Sequence, residues 1–218
     1  MHAKEKEELL IKFYSALFNH FKEQRWWPAK TRFEVIVGTI LTQNTNWKNV
    51  ERAISNLKRA ALLKPAKMHG VNKDTLAETI RPAGYYNVKA GRLKNFLDHL
   101  FGSYDGKLTK LLNKEHLELR AELLSINGIG AETADSILLY AAGKPAFVVD
   151  AYTKRIFARH GVVDEDIDYH KLQELFTGNL KANVQMFNEY HALIVMTGKE
   201  FCKTKKPLCE SCPLGGFL

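Results

Sequence analysis

The sequence predicts an all-α fold, and three observations carry that expectation. Apolar residues recur three and four positions apart along most of the chain, glycine and proline fall between these stretches, and only the short run PAFVVD (145–150) has the composition of a strand. From Glu5 to Phe21 the residues Leu9, Leu10, Phe13, Tyr14, Leu17 and Phe21 share one face, as a helix with one buried side requires. The same periodicity predicts helices over 32–41, 49–63, 89–101, 117–124, 131–142, 151–159, 169–176 and 184–196. Pro65, Gly70, Pro82, Gly84, Gly102, Gly106, Gly143, Pro145 and Gly161 supply the breaks. PAFVVD is too short to found a sheet, and the chain has neither a low-complexity linker nor an internal repeat, so any two lobes must pack directly on each other.

A chain of 218 residues holds one substantial core or two small lobes, and 45% hydrophobic with 26% charged residues is ordinary for a soluble globular protein. No apolar run approaches the ~20 residues that cross a bilayer, and the start MHAKEKEELL is charged where a secretory signal would be apolar. The expected location is therefore the cytoplasm, with no membrane partner. A net charge of +8 and a pI near 9.3 favour an anionic partner, because a basic face gathers phosphates by releasing their counterions.

The segment ELLSINGIGAETADSILLYAAGKPAFVVDAYTKRI (122–156) is the most informative. One helix ends near Leu124, Gly128 and Gly130 occupy the turn, and a second helix starts near Ala131. Glycine there admits backbone angles closed to other residues and leaves nothing between the main chain and an approaching group. The N–H groups opening the next helix suit a phosphate, and Ile129 is placed to point inward as the anchor of the turn. By itself Gly-Ile-Gly also reads as a tight interhelical turn. Downstream, two valines deliver Asp150 to the start of a further helix, where an aspartate serves as an N-cap whatever else it does.

A second cluster runs from Arg25 to Trp47, RWWPAKTRFEVIVGTILTQNTNW, and holds all three tryptophans of the chain beside the polar run Thr42-Gln43-Asn44-Thr45-Asn46. Tryptophans at helix ends belong most often to cores. A protein that extrudes a nucleotide from DNA, however, needs aromatic faces against the flipped base and a filler for the gap it leaves.

The pairing of Leu-x-x-x-x-Gly-Ile-Gly with Val-Val-Asp resembles the helix-hairpin-helix superfamily of base-excision DNA glycosylases, and the likeness extends to LTQNT and the terminal CKTKKPLCESC. The segments WWP, LTQNTNW, RPAGYYNVKAGRL and NGIGAETADSILLYA are similar to 3-methyladenine DNA glycosylase III, a subfamily on the endonuclease III scaffold that excises alkylated purines. The resemblance implies a two-lobed helix-hairpin-helix fold with the active site in the cleft between lobes, Asp150 as the catalytic carboxylate and Gly128, Ile129 and Gly130 as the DNA-gripping turn. It implies a base pocket of Trp26, Trp27, Pro28, Trp47 and Glu132, with Gln43 or Asn44 filling the duplex gap. The subfamily commonly has Phe where Trp47 stands, so a larger ring narrows the expected pocket. Bifunctional members carry a lysine where Glu132 stands; a carboxylate forms no imine, so base removal without strand cleavage is expected. Residues 25–143 are expected to form the bundle ending in the hairpin, and 1–24 with 144–218 the second lobe. The expected partner is double-stranded DNA containing a damaged base, bound by a monomer. Oxidised pyrimidines as substrate, or a catalytically silent module that binds distorted duplex, are the alternatives.

Cys202, Cys209 and Cys212 follow the spacing C-x6-C-x2-C, which resembles the iron-sulphur loop of endonuclease III except that Leu218 occupies the position of the fourth cysteine. A 4Fe-4S cluster with a foreign fourth ligand, a zinc ion, or a vestige without metal are all compatible with three thiols. Lys203–Lys206 between the cysteines form a basic loop suited to the DNA backbone.

Overall fold

The computed structural model describes residues 2–218, and every regular element among them is helical. The chain divides into two compact units, one of the segment up to Pro28 with Pro145–Leu218, the other of Ala29–Lys144. Among the described residues no helix is long and apolar enough to cross a membrane.

The Ala29–Lys144 unit is organised around α2 (Arg32–Thr42), whose residues from Phe33 to Leu41 are all buried, and which packs on α3 (Trp47–Arg59), on α6 (Tyr86–Tyr104) and on the π-helical turn Ile137–Ala141. Thr31 caps the start of α2 by accepting from the Glu34 N–H. Its end would leave carbonyls without partners; Lys89, 1% exposed, donates to the carbonyls of Leu41 and Ala83, each at 2.8 Å. Burial, and to a lesser degree the charge of nearby Arg92, lowers the Lys89 ammonium to about 8.

Three short helices, α4 (Pro65–Gly70), α5 (Lys73–Thr79) and α7 (Leu108–Leu112), lie where the sequence offers only punctuation. Each is too short to display a period, and Pro65 opens α4 at the first position, where a missing N–H costs nothing. α8 (His116–Ser125) is tied to α6 through Glu122, which accepts from Tyr104 at 2.6 Å and pairs with His99 at 2.7 Å and Lys114 at 2.8 Å. α9 (Ala131–Ser136) follows the Gly128–Gly130 turn and continues into the π-helical turn. A buried fork joins α8 to α9: Arg120 Nε and Nη2 reach the Asp135 carboxylate at 2.7 and 3.0 Å, with the Asp135 side chain wholly buried.

In the other unit, α1 (Ala3–Phe21) and α10 (Ala151–Arg159) both pack on α12 (Val184–Glu200), beside α11 (Tyr169–Thr177). PAFVVD is extended but pairs with no strand. Phe147 is a plug, stacked on Phe176 at 3.9 Å between centroids and set edge-on to Phe187 and Tyr190, while Gln173 Nε2 donates to its carbonyl at 2.8 Å. Tyr190 is fully buried and donates to the Leu10 carbonyl at 2.8 Å, tying α12 to α1.

The expected bundle began at Arg25, but Arg25–Pro28 cluster with the other unit. There Glu189 of α12 accepts the Gln24 N–H at 2.8 Å, and Lys199 lies 5.5 Å from the centre of the Trp26 ring. Lys144 closes the Ala29–Lys144 unit.

Removing Arg120 breaks one side of a buried ion pair. Arg120→Met is expected to destabilise the protein by about 3 to 5 kcal/mol, the usual cost of breaking one side of a buried pair. Denaturant unfolding measures this, and a midpoint equal to wild type would refute the fork's role.

Candidate active site

Asp150 is both cap and charge. It is the N-cap of α10: Oδ1 accepts the Thr153 N–H at 2.8 Å and the Thr153 hydroxyl at 2.9 Å. Oδ2 faces His191 Nε2 of α12 at 3.6 Å, and the Asp150 side chain is only 13% exposed. Burial by itself would raise the carboxyl; the nearby His191 and the Thr153 donors outweigh it and hold Asp150 below the usual carboxylate range. The cap therefore fixes one oxygen and leaves a dry, ionised second oxygen. The run Val148-Val149 that carries Asp150 is buried behind the Phe147 plug, which is why the apolar pair precedes it.

His191 was not legible as a site residue. Its signal is slight, a single imidazole within the apolar run from Tyr190 to Val195, and such a residue reads equally as a satisfied core histidine.

The hairpin's glycines differ in what they require. Gly128 has φ +94°, and a Cβ there would sit 2.3 Å from Arg92 Cγ, so conformation and packing both demand glycine. Gly130 has φ −93° and ψ −179°, open to any residue, and a Cβ there would meet nothing within 4 Å. No internal contact demands glycine at 130, so its bareness leaves the main chain open to an outside group. Ile129 between them is buried, as an anchor should be.

Gln43 follows α2 and belongs to this hairpin. Its Nε2 donates to the Gly128 carbonyl at 3.1 Å and to Thr133 Oγ1 at 2.9 Å, and its Oε1 accepts from Arg92 Nη1. Asn44 is exposed at φ +53°, a left-handed position that asparagine tolerates well.

Trp47 opens α3 behind its Asn46 cap and donates to Glu51 Oε1 at 2.9 Å. Glu132, exposed in the first turn of α9, lies in the same unit as Trp47. Trp26 and Trp27 are in the other unit, set edge to face with centroids 5.7 Å apart and followed by exposed Pro28. Trp26 also lines a pocket with Tyr14, Phe18, Glu189 and Arg25.

Cys202, Cys209 and Cys212 line one cavity, together with Arg159 and His160 from α10. Burial pushes the Cys212 thiol up, and neighbouring Cys202 and Cys209 push it further, as thiols sharing a small space do. Arg159 Nη1 donates to Cys202 Sγ at 2.9 Å, placing a guanidinium beside the thiols. Three soft donors around a common space, with a guanidinium beside them, fit an iron-sulphur cluster.

Residues 37–182 match the family described as HhH-GPD superfamily base excision DNA repair protein. The chain is 53% identical over 214 residues to the "Putative DNA repair glycosylase MJ1434" of Methanocaldococcus jannaschii, spanning 97% of this chain and 96% of that one. It is 30% identical over 192 residues to endonuclease III of Sulfolobus acidocaldarius, spanning 87% of this chain and 83% of the relative. Among solved structures it resembles Helicobacter pylori 3-methyladenine DNA glycosylase (MagIII) bound to 1,N6-ethenoadenine, with TM-score 0.75, 28% identity and coverage of 92% of this chain and 98% of that one. The chain belongs to the HhH-GPD superfamily of base excision DNA repair proteins, as a DNA glycosylase that acts on DNA.

The His191 contact sets a sign. A carboxyl held low is ionised above its folded pKa and loses its charge, with the stability and activity resting on it, as pH falls through that value. His191→Gln removes the imidazole that helps to hold Asp150 low, so the acid limb of the pH profile for base release is expected to move to higher pH. An unmoved limb would show that His191 does not hold the charge.

Proposed function

We propose that this glycosylase removes alkylated purines such as 3-methyladenine by hydrolysing the N-glycosidic bond and leaves the sugar-phosphate backbone intact. One observation carries the reading: Asp150 is held ionised at its cap, while the position of the lyase amine is Glu132. The similarity to MagIII, described with 1,N6-ethenoadenine, supports an alkylated base over an oxidised pyrimidine. The endonuclease III relative keeps oxidised pyrimidines as the second reading.

A cationic purine such as 3-methyladenine is already a good leaving group, so stacking it demands more of the pocket than protonating it does. Indole rings supply that stacking in this proposal; base–aromatic stacking is worth about 1 to 3 kcal/mol, and indole adds attraction for a cation. As the bond to the base breaks, the sugar gains positive charge. Asp150 stabilises that charge, and Oδ2, the oxygen not committed to the Thr153 cap, accepts the proton of the water attacking C1'. Amides of the Gly128–Gly130 turn and the lysines at 203, 205 and 206 bind phosphates of double-stranded DNA. A 4Fe-4S cluster, when bound by Cys202, Cys209 and Cys212, supplies cross-linking of the basic loop rather than redox chemistry.

Asn44 is the gap filler in this reading, because the Gln43 amide is committed to Gly128, Thr133 and Arg92. Asn44→Ala is expected to weaken binding to lesion duplex with an unchanged unfolding midpoint, whereas Gln43→Ala lowers the midpoint as well. The reverse pattern would assign the gap to Gln43.

Release of free base from duplexes carrying 3-methyladenine, 1,N6-ethenoadenine or an oxidised pyrimidine tests the substrate class. Asp150→Asn keeps a cap acceptor and loses the charge, so it is expected to bind lesion DNA and to release base on the order of 100-fold more slowly. Wild-type rates in that variant, or borohydride trapping of an enzyme–DNA adduct, would refute the mechanism.

A further inference from the structure

The cavity that gathers the cysteines contains a fourth donor. His160, at the end of α10, lines it with Cys202, Cys209 and Cys212. Its Nδ1 is buried and makes no hydrogen bond, while the Phe217 main chain is hydrogen-bonded to the imidazole. A buried ring nitrogen without a partner forfeits its hydration for nothing, so such atoms are rare unless something absent from the polypeptide satisfies them. The ring is held in place edge-on to Phe13, with centroids 5.1 Å apart at 69°.

Three thiols can hold a cluster or a single ion. Zinc binds sulphur at about 2.3 Å and draws its four ligands to one point. Among the described residues no three histidine, cysteine or acidic side chains converge in that way. In a cluster each donor takes its own iron, so donors that line one common space can share it. Leu218, at the position of the fourth cysteine, has no donor atom in its side chain, so that iron needs a ligand from elsewhere in the fold.

We infer that Cys202, Cys209, Cys212 and His160 together ligate a 4Fe-4S cluster, with His160 Nδ1 on the iron a fourth cysteine would otherwise hold. The imidazole binds as a neutral donor through the Nδ1 lone pair and keeps its proton on Nε2. Histidine is a known iron ligand in place of thiolate, and replacing an anionic ligand with a neutral one raises the reduction potential. Arg159 beside Cys202 acts in the same direction by favouring the electron-rich state. The cluster would join the end of α10 to the C-terminal loop, fixing the lysines at 203, 205 and 206.

The test is spectroscopic and independent of glycosylase activity. Full-length protein purified without oxygen is expected to be brown and to carry about four irons and four acid-labile sulphides per chain. Pulsed EPR of the reduced cluster is expected to show hyperfine coupling to an imidazole nitrogen. His160→Cys is expected to keep the cluster and lose that coupling, which also establishes that the variant folds. His160→Ala is expected to lose the coupling and to fall to about three irons per chain on brief exposure to air. Iron-free or zinc-loaded wild type, a wild-type cluster without nitrogen coupling, or coupling that persists in either variant would overturn the assignment.

Discussion

The unit that holds Asp150 is built around a charge kept where burial opposes it. An ionised carboxylate in an apolar setting survives only if its hydration is replaced atom by atom. Thr153 replaces part of it at Oδ1, the opening turn of α10 adds its dipole, and His191 faces Oδ2. Each donor depends on a larger element. α10 must start at residue 151, so Phe147 must seat among Phe176, Phe187 and Tyr190, and α12 must pass close by to present His191. The aromatic core therefore decides where the carboxylate stands, and the cap decides which oxygen is left uncommitted.

The Ala29–Lys144 unit applies the same rule to backbone and loop. Lys89 satisfies carbonyls at the end of α2, Gln43 immediately beyond it bonds the hairpin, and Arg120 holds Asp135 behind the hairpin. A turn that grips DNA gains little from flexibility, because ordering it on binding costs affinity. Here the polar groups that could let the turn move are committed to one another within the unit. Gly130, with no internal reason to be glycine, is left bare.

In the proposed cluster site the fold supplies a donor that Leu218 cannot. With Leu218 in place of a thiolate, the loop alone offers three donors, but α10 ends with His160 facing the same cavity. A ligand contributed by a helix is held more rigidly than one on a loop, since the ring is fixed by its packing on Phe13.

Much of this protein was legible in its sequence. Nine amphipathic segments announced the long helices, because one buried face imposes a period that local reading detects. Gly128 and Ile129 announced the turn, since a positive φ and an inward anchor are demands made within a few residues. Short α4, α5 and α7 escaped because a period needs more than one or two turns to appear. PAFVVD looked like a strand because burial on every side gives the same composition as burial in a sheet; only Phe147 among its aromatic neighbours distinguishes the two. Partners far apart along the chain were beyond reach for a different reason. His191 lies on a helix remote in sequence from Asp150, the three bonds of Gln43 go to residues well downstream, and His160 shares a cavity with cysteines on a later loop. The sequence by itself determined which side chains could carry charge, donate or stack, because those are properties of residues. Which oxygen of Asp150 is committed to the cap, which amide is committed to the hairpin and which histidine shares a cavity with the thiols were decided by tertiary packing, because each is set by distances that no local pattern encodes.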